Sequence, residues 1–566
     1  MSFSEHEADV LVVGSGIGGC MAACSAAEKG ANVTLVTKGT LQSGGSARPG
    51  FQGGIILFPR SEIEVFSAAG ERYGTWKPQD IERFWKSMEI QVEGLLDKKL
   101  TQTVIERSWE VLGKLESYGV KTTSRSIGDK YMWTVVYDMP QLSFDDWEVI
   151  QPKLGSQVRR TNNIRVSERM MAVDLVKDGD EVKGVIAFDV RTGDVHVFYG
   201  KTVILATGST CRLYESISGI PYNTRYSPYN TGDGQAMALR SGSELLNMEI
   251  VYWSLCPKDF EFCGTTWSTK MGAVWRNAKG EPIMEKHYPD GGQGVQRHML
   301  VRAVIEEISQ NNGPIFLDFT QVPEEKIKAV YDHMAYPLKE YLKSRGIDFR
   351  KRAAEYVPHG DCSLIGGVSG GIGVNTEFRT SLGDVYAVGN CSNSGFESSP
   401  AACFIGGMMS GENAAIASKG LVLKKMDRKK LAELTDFIQR PLQRKKGMRP
   451  EVLENNLRKI MSSYVGYGRN EKGLTIAMER IQSLKGLLDE VKVENPHGLM
   501  KFFELRNLLD MGEGVAGSAR FRKESRITPM HYRSDYPEKN DPEWYGKRVA
   551  ARVENGALTF YKVSTL

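Results

Sequence analysis

Residues 8–38 read ADVLVVGSGIGGCMAACSAAEKGANVTLVTK, and the order of residue types in this stretch decides the fold. An apolar run, Val10 to Val13, ends in Gly14-Ser15-Gly16-Ile17-Gly18-Gly19. A small-residue segment follows to Lys29, and a second β-branched run occupies positions 33–37. Strand, glycine turn, helix and strand in this order predict the first unit of a dinucleotide-binding sheet. Gly14 permits the tight turn, Gly16 lets the backbone approach a pyrophosphate, and Gly19 lets helix and strand pack closely. The pyrophosphate would rest on the unpaired N–H groups and positive dipole end of the new helix. A GxGxxG on its own is often a surface turn; the flanking strands and alanine-rich helix select the nucleotide reading. Neither the nucleotide nor the chemistry follows from this stretch.

The whole chain bounds the answer further. With 566 residues it is long enough for two to four domains. Its 41% hydrophobic and 25% charged residues are those of an ordinary globular protein. A formal net charge of +4, from 73 basic and 69 acidic residues, gives no nucleic-acid signature but suits small anionic substrates. No apolar run approaches the ~18 residues of a membrane span, so no integral membrane segment is expected. The start MSFSEHEADV has neither the basic residues nor the apolar core of a signal peptide, so a cytoplasmic location is expected. The eight cysteines, Cys20, Cys24, Cys211, Cys256, Cys263, Cys362, Cys391 and Cys403, contain no CxxC spacing. No iron–sulfur or other metal site is therefore expected on the chain. Cys20 and Cys24, four apart on the first helix, read as small apolar filling.

Beyond the second strand, residues 39–54 read GTLQSGGSARPGFQGG, too glycine-rich for regular structure and suited to wrapping N–H groups around a cofactor. Ser43, Gly44, Gly45, Ser46, Gly53 and Gly54 are its candidate contacts, after Thr37 and Lys38. Residues 61–118 show helical periodicity, for example across 80–100. A strand-rich block from Asn163 reads as a β-meander that closes on Thr202-Val-Ile-Leu-Ala-Thr-Gly208. A buried strand ending in Ala206-Thr207-Gly208 is a second sign of a flavin-type dinucleotide domain. Next, Asn230-Thr-Gly-Asp-Gly234 precedes a helix; the Thr/Gly/Asp turn is expected to cap it and to give N–H donors facing the nucleotide, with Thr231 and Asp233 as candidate cofactor contacts.

These pieces, together with Gly371-Ile-Gly-Val-Asn-Thr-Glu-Phe-Arg-Thr-Ser-Leu-Gly-Asp-Val-Tyr-Ala-Val-Gly389, Phe521-Arg-Lys-Glu-Ser-Arg526 and His531-Tyr-Arg-Ser-Asp-Tyr-Pro537, occur in one order along nearly the whole chain. In that set the chain resembles the flavoprotein family of succinate dehydrogenase, fumarate reductase, L-aspartate oxidase and the adenylylsulfate reductase α subunit. The tail through Trp544 is most similar to the adenylylsulfate reductase branch. The resemblance implies FAD and an α/β fold: a Rossmann-like FAD-binding domain split by an inserted α+β capping domain, plus a C-terminal helical domain. The expected boundaries are 1–248 and 354–420 for the two parts of the FAD-binding domain, and 249–353 for the capping, substrate-bearing domain. A helical domain at 421–530 and a C-terminal tail at 531–566 complete the chain. Gly389 and Asn390 fall where the family holds the flavin ribityl chain, usually with an acidic residue at the second position. Ser399, Pro400 and Ala401 begin a helix whose N-terminus would face the flavin pyrimidine and stabilise its anionic reduced form. The histidine that carries covalent FAD in the succinate dehydrogenase branch would fall at Ala47, so noncovalent FAD is expected.

The substrate end departs from the family. Arg297 falls on the arginine assigned there to proton delivery; a helix-surface salt bridge is its plainer reading, and Arg302 reads as structural. The dicarboxylate-binding histidine falls at Ser254, the Thr-Glu pair becomes Thr265-Thr266, and only a loop shift would bring His359 to the place of a second histidine. Arg297, Ser254, Thr265 and His359 are thus the candidate catalytic residues. No arginine stands within residues 395–399, where the family clamps a second carboxylate. Tyr252, Trp253, Trp267 and Trp275 lie near these positions, either as capping-domain core or as a stacking surface for a less charged substrate. Two functions remain open at this stage. One is an FAD-dependent oxidoreductase moving hydride between flavin N5 and a small organic substrate that is not a dicarboxylate. The other is the flavoprotein α subunit of an adenylylsulfate-reductase-like complex, exchanging electrons with a ferredoxin-like iron–sulfur subunit. Oligomeric state is not legible.

Overall fold

The computed structural model describes residues 3–46, 54–56, 62–66, 72–120, 126–127, 130–131, 133–136, 139–143, 147–215, 226–258, 272–289, 297–325, 353–358, 367–394 and 400–565, with residues 327, 346, 348, 351 and 364 singly between them. The β-branched runs at the start form β1 (Ser4–Val13) and β2 (Val33–Thr37), joined by α1 (Ile17–Glu28). After α2 (Trp147–Arg160) come β3 (Ile164–Glu168), β4 (Met170–Asp178), β5 (Glu181–Asp189) and β6 (Val195–Leu205), and then α3 (Asp233–Arg240). They build one sheet in the order β3-β2-β1-β6-β5-β4, with Val385–Ala387 added beside the end of β6. The central pairs β1–β2 and β1–β6 are parallel, and Val13 stands level with both Val36 and Leu205, so three strand ends finish together at the glycine turn.

One strand differs from the sequence expectation. The stretch from Ile164 to Asp178 does not run as a single meander strand. Arg169, with φ +60°, divides it, and its N–H donates to Gly39 O at 2.9 Å. Left-handed backbone at a non-glycine residue ends an extended run. The part before it, β3, pairs parallel with β2, while β4–β6 alone form the antiparallel meander. Likewise residues 80–100 are not one helix: Ile81–Val92 stops at left-handed Glu93 and Gly94, and Lys98–Glu106 restarts under an Asp97 cap that accepts Leu100 N–H at 2.9 Å.

The inserted segment carries a separate four-stranded antiparallel sheet, ordered Leu255–Pro257, Ala354–Pro358, Ile315–Asp318, Val274–Arg276, and the helix α4 (Arg297–Ser309). Trp275 is buried against Tyr356 edge to face, ring centroids 5.1 Å apart, so this tryptophan is core of that segment. Ala354–Pro358, placed above in the second part of the FAD-binding domain, is hydrogen-bonded inside this sheet, and the insertion therefore runs on through Pro358.

The chain then returns with α5 (Pro400–Ser418), packed along α1. A Cβ at Gly407 would overlap Gly18 O, and one at Gly411 would overlap Ala22 O. The small residues seen in both sequences are what lets the two backbones touch. The C-terminal helices follow: α6 (Arg428–Gln443), α7 (Pro450–Tyr464), α8 (Glu471–Gly486) and α9 (Pro496–Phe521), the last buried along most of its length. The final hairpin, Lys547–Glu554 with Ala557–Ser564, is no loose tail: it joins a second sheet through Leu245–Leu246. Among the described residues no helix is long and apolar enough to cross a membrane, and no group of three or more His, Cys, Asp or Glu is placed to hold a metal.

Candidate functional site

The turn between β1 and α1 is fixed by its neighbours. Gly14 N–H donates to Val36 O at 2.8 Å, and Ala206 N–H donates to Val13 O at 2.8 Å. Gly14 has φ +108°, and a Cβ on it would overlap Ala206 O; a Cβ on Gly19 would overlap Gly14 O. Both glycines are therefore required by the packing of turn, helix and strand. Gly16 is the N-cap of α1 and brings no side-chain acceptor, so the first N–H groups of the helix, from Ile17 onward, have no side-chain cap. Across from it lies the second glycine loop: a Cβ on Gly45 would stand 2.7 Å from Gly16 Cα, and one on Gly44 would overlap Ser15 Oγ. Two stretches of bare backbone thus face each other over uncapped N–H donors. This is a cradle for an anion such as a pyrophosphate, and it fits FAD.

At the end of β2, where such folds meet the adenosine ribose, Thr37 and Lys38 are both held by protein partners. Thr37 and Ser15 share a hydroxyl hydrogen bond of 2.7 Å. The Lys38 ammonium lies 2.8 Å from Asp233 and 3.2 Å from Glu504, and it also donates to Thr231 at 3.4 Å. Burial alone would lower the Lys38 pKa, but these two carboxylates outweigh it and raise it. A cation at this place would ordinarily mark a 2′-phosphate ligand; here its charge is already met by the protein. Asp233 also accepts from Thr231 Oγ1 at 2.8 Å and from Asn507 Nδ2 at 2.9 Å. The α3 N-cap is Gly232, with φ +74° and no side-chain cap, so Thr231 serves Asp233 and, contrary to the sequence expectation, does not cap the helix. Ser46 Oγ accepts from Ser227 N–H and Asn230 Nδ2, both at 3.2 Å, which ties the glycine loop to the turn before α3.

At the other end, Thr207 Oγ1 accepts the Gly234 N–H at 2.9 Å, and Gly208 O accepts from Gln235 Nε2 at 2.9 Å. Gly389, with φ +69°, turns the chain into Asn390 and Cys391. Cys403 Sγ lies 3.9 Å from Asn390 Oδ1, and burial pushes both the Cys391 and Cys403 thiols up to about 11. These thiols stay protonated at neutral pH. The helix α5 starts at Pro400, beyond the short strand Ser392–Asn393. The loop strand beginning at Gly54 pairs with Met139–Ser143.

Of the candidate catalytic residues, Ser254 is buried just before the strand Leu255–Pro257, its Oγ 3.7 Å from Cys256 Sγ. Tyr252 and Trp253 beside it are buried as well, and Trp253 N–H donates to Met530 Sδ at 3.1 Å. Arg297 is the first residue of α4, and its side chain lies outside the described residues. Arg302, half-exposed, pairs with Glu306 on the same helix at 2.6 Å. Gly53, Thr265, His359 and Ser399, with Ala47, Cys263, Trp267 and Cys362, also lie outside the described residues.

Two residues escaped the sequence reading. Gln151, fully buried on α2, donates its amide to Ser15 O at 2.7 Å and to Leu41 O at 2.9 Å, joining the two glycine loops from behind. Glu504, fully buried on α9, accepts from Arg212 at 2.8 Å and Lys501 at 2.8 Å besides Lys38. Desolvation opposes its charge, yet those three cations hold its carboxyl at about 2.

Comparison with known proteins agrees with this geometry. Residues 9–403 match the FAD binding domain family, and residues 454–565 match the fumarate reductase flavoprotein C-terminal family. The chain is similar to an uncharacterised FAD-dependent oxidoreductase of Methanocaldococcus jannaschii, 26% identical over 96% of each chain. It is similar also to an L-aspartate oxidase of Yersinia pestis, 27% identical over 95% of this chain and 97% of that one. The fold is shared with an adenosine-5-phosphosulfate reductase solved in complex with sulfite, TM-score 0.84 at 22% identity, over 99% of this chain and 96% of the other. An FAD-binding match over most of the chain, followed in order by the C-terminal match, leads to one conclusion: the chain belongs to the flavoprotein family of fumarate reductase, succinate dehydrogenase and L-aspartate oxidase, as an FAD-dependent oxidoreductase.

Proposed function

We propose that this oxidoreductase acts on a small organic substrate carrying less charge than a dicarboxylate, bound between the FAD-binding domain and the inserted capping segment. The observation that carries the reading is Ser254. Where the family places a dicarboxylate-binding histidine, this chain has a buried hydroxyl among Tyr252, Trp253, Cys256 and Met530. A small dianion needs several charged or imidazole donors to offset its desolvation, and this wall supports packing against an apolar or ring-bearing group.

FAD, when bound, supplies an acceptor or donor of hydride at N5. The chain's residues do the rest. Gly14, Gly16, Ile17, Gly18 and Gly19 with Gly44 and Gly45 hold the pyrophosphate. Thr37, Lys38, Ser46, Thr231 and Asp233 set the adenosine end, and Ala206, Thr207, Gly208, Gly389, Asn390 and the start of α5 set the flavin end. Asn390 gives hydrogen bonds to the ribityl chain without the usual negative charge. Arg297, at the start of α4, delivers the proton and polarises the substrate. With Ala47 in place of the attachment histidine, the flavin is held noncovalently.

The test is anaerobic bleaching of the flavin by a substrate panel. Bleaching by saturated mono-acids or ketones, or reoxidation of the reduced flavin by the corresponding enoic acids or enones, and neither by succinate or fumarate is expected; response to succinate or fumarate alone would overturn the reading. A second reading rests on a separate observation: the eight cysteines lack cluster spacing, while the succinate dehydrogenase relative of Rickettsia bellii is a flavoprotein subunit. Electrons would then leave through a ferredoxin-like iron–sulfur subunit. Iron co-purifying with the native complex supports this, and a catalytically complete iron-free single chain refutes it.

A further inference from the structure

The helix α9 belongs to the C-terminal region, yet it carries a polar stripe at every third position, Glu504, Asn507, Asp510 and Glu513, all buried. Its upper half is spent on the adenosine end of the cofactor site. Glu504 takes Lys38 and Arg212, while Asn507 donates to Asp233 at 2.9 Å and accepts from Arg240 at 3.0 Å. Lys38 follows the second strand and Asp233 opens α3, so two separate segments of the dinucleotide fold are brought together by a third from beyond it.

The consequence lies in the lone pairs of Asp233. Its carboxylate already accepts from Lys38, Thr231 and Asn507. A carboxylate offers about four acceptor positions, so about one is left, aimed by the other three. We propose that Glu504 and Asn507 are positioning residues for FAD: α9 orients Lys38 and Asp233 so that the remaining acceptor of Asp233 meets the adenosine ribose. Docking of α9 and binding of FAD are then coupled, and by linkage each strengthens the other by the same factor. The inference rests on Asp233 being a cofactor contact, an assignment with its own control.

The experiment uses the full-length chain freed of flavin and measures the FAD dissociation constant by quenching of flavin fluorescence. The variants are Asp233→Asn, Lys38→Met, Glu504→Gln and the double Lys38→Met/Glu504→Gln. Glu504→Gln is expected to weaken FAD about 10-fold or more, within the usual range of coupling between sites. The double variant is expected to be no more than about 2-fold weaker than the worse single one, since one network is lost once. If Glu504→Gln does not fold, Asn507→Ala replaces it; it frees no buried cation and is expected to weaken FAD several-fold. Hydrogen exchange gives a readout that simple destabilisation would not move: adding FAD should slow exchange in α9 of the wild type and fail to do so in Lys38→Met. Wild-type affinity in folded Glu504→Gln or Asn507→Ala, additive losses in the double variant, or an α9 indifferent to FAD would each overturn the coupling. Unchanged affinity in Asp233→Asn would instead overturn the cofactor assignment beneath it.

Discussion

Replacing Gln151 by Met isolates the contribution of one buried amide to the cofactor cradle. Met keeps the length and apolar volume of the side chain but removes both N–H donors. Ser15 O, now 2.7 Å from the amide, would keep only the thiol of Cys20 at 3.2 Å, and Leu41 O would lose its 2.9 Å donor. A buried acceptor left unmet costs about 1–3 kcal/mol. With the thiol softening one of the two losses, the total is about 2–4 kcal/mol. How that cost divides is set by the loops. Leu41 is buried but Gln42 and Ser43 are exposed, so the loop after Leu41 is taken to shift when no FAD holds it and to recover part of the loss. With FAD bound it must return to the cradle geometry, in which Gly45 lies against Gly16. The penalty therefore falls mainly on the bound state, and FAD affinity is expected to drop by about 30- to several-hundred-fold, with a smaller fall in the melting temperature of the flavin-free chain. Titration of flavin-free Gln151→Met with FAD, beside thermal unfolding of the same samples, measures both. Wild-type affinity together with a lowered melting temperature would refute the argument, because it would make Gln151 a plain core hydrogen bond with no hold on the loops.

Three further outcomes are expected. Glu504, held at about 2 against an ordinary 4.5, contributes on the order of 3 kcal/mol that is present above pH 4.5 and is lost as pH falls toward 2; acid unfolding followed by circular dichroism should lose that slope in Glu504→Gln, and an unchanged slope counts against the ion pairs. Gly19→Ala should fail to fold or lose FAD altogether, since its Cβ would overlap Gly14 O in the turn, and a flavin-replete, stable variant would show that the turn has slack. After acid precipitation the flavin should stay in the supernatant, with none retained on the polypeptide.

How far the sequence could be read depends on what kind of interaction fixes each part. The turn at Gly14–Gly19 was legible because backbone contact excludes side chains at numbered positions, and a strand period on either side marks the frame. The parallel pairing of β3 with β2 was not, because one residue, Arg169, takes a left-handed conformation that nothing in SERMMAV announces. The break at Glu93-Gly94 inside an otherwise helical pattern was hidden in the same way, although Asp97 three residues before Leu100 was a visible cap. Lys38 shows the opposite failure: its position was read correctly, but its partners, Asp233 and Glu504, stand far along the chain, where no local pattern connects them to it.

The signal for those partners was nevertheless present. In LMKFFELRNLLDMGEGVAGS, Glu504, Asn507, Asp510 and Glu513 recur at every third position of a helix buried along most of its length, beside the cations Lys501 and Arg506. A buried helix keeps carboxylates only where cations meet them. Each carboxylate of the stripe therefore required at least one cation, from an element packed on that face or from the helix itself. Lys38, Arg212 and Lys501 meet Glu504, Arg240 and Lys485 meet Asp510, and Lys485 also meets Glu513. Three of these cations, Lys38, Arg212 and Arg240, come from the dinucleotide-binding part. The end of the chain thus reports on the beginning: a carboxylate that α9 keeps only among cations is met in part by Lys38, directly after the second strand, where a fold of this kind ordinarily carries an acid.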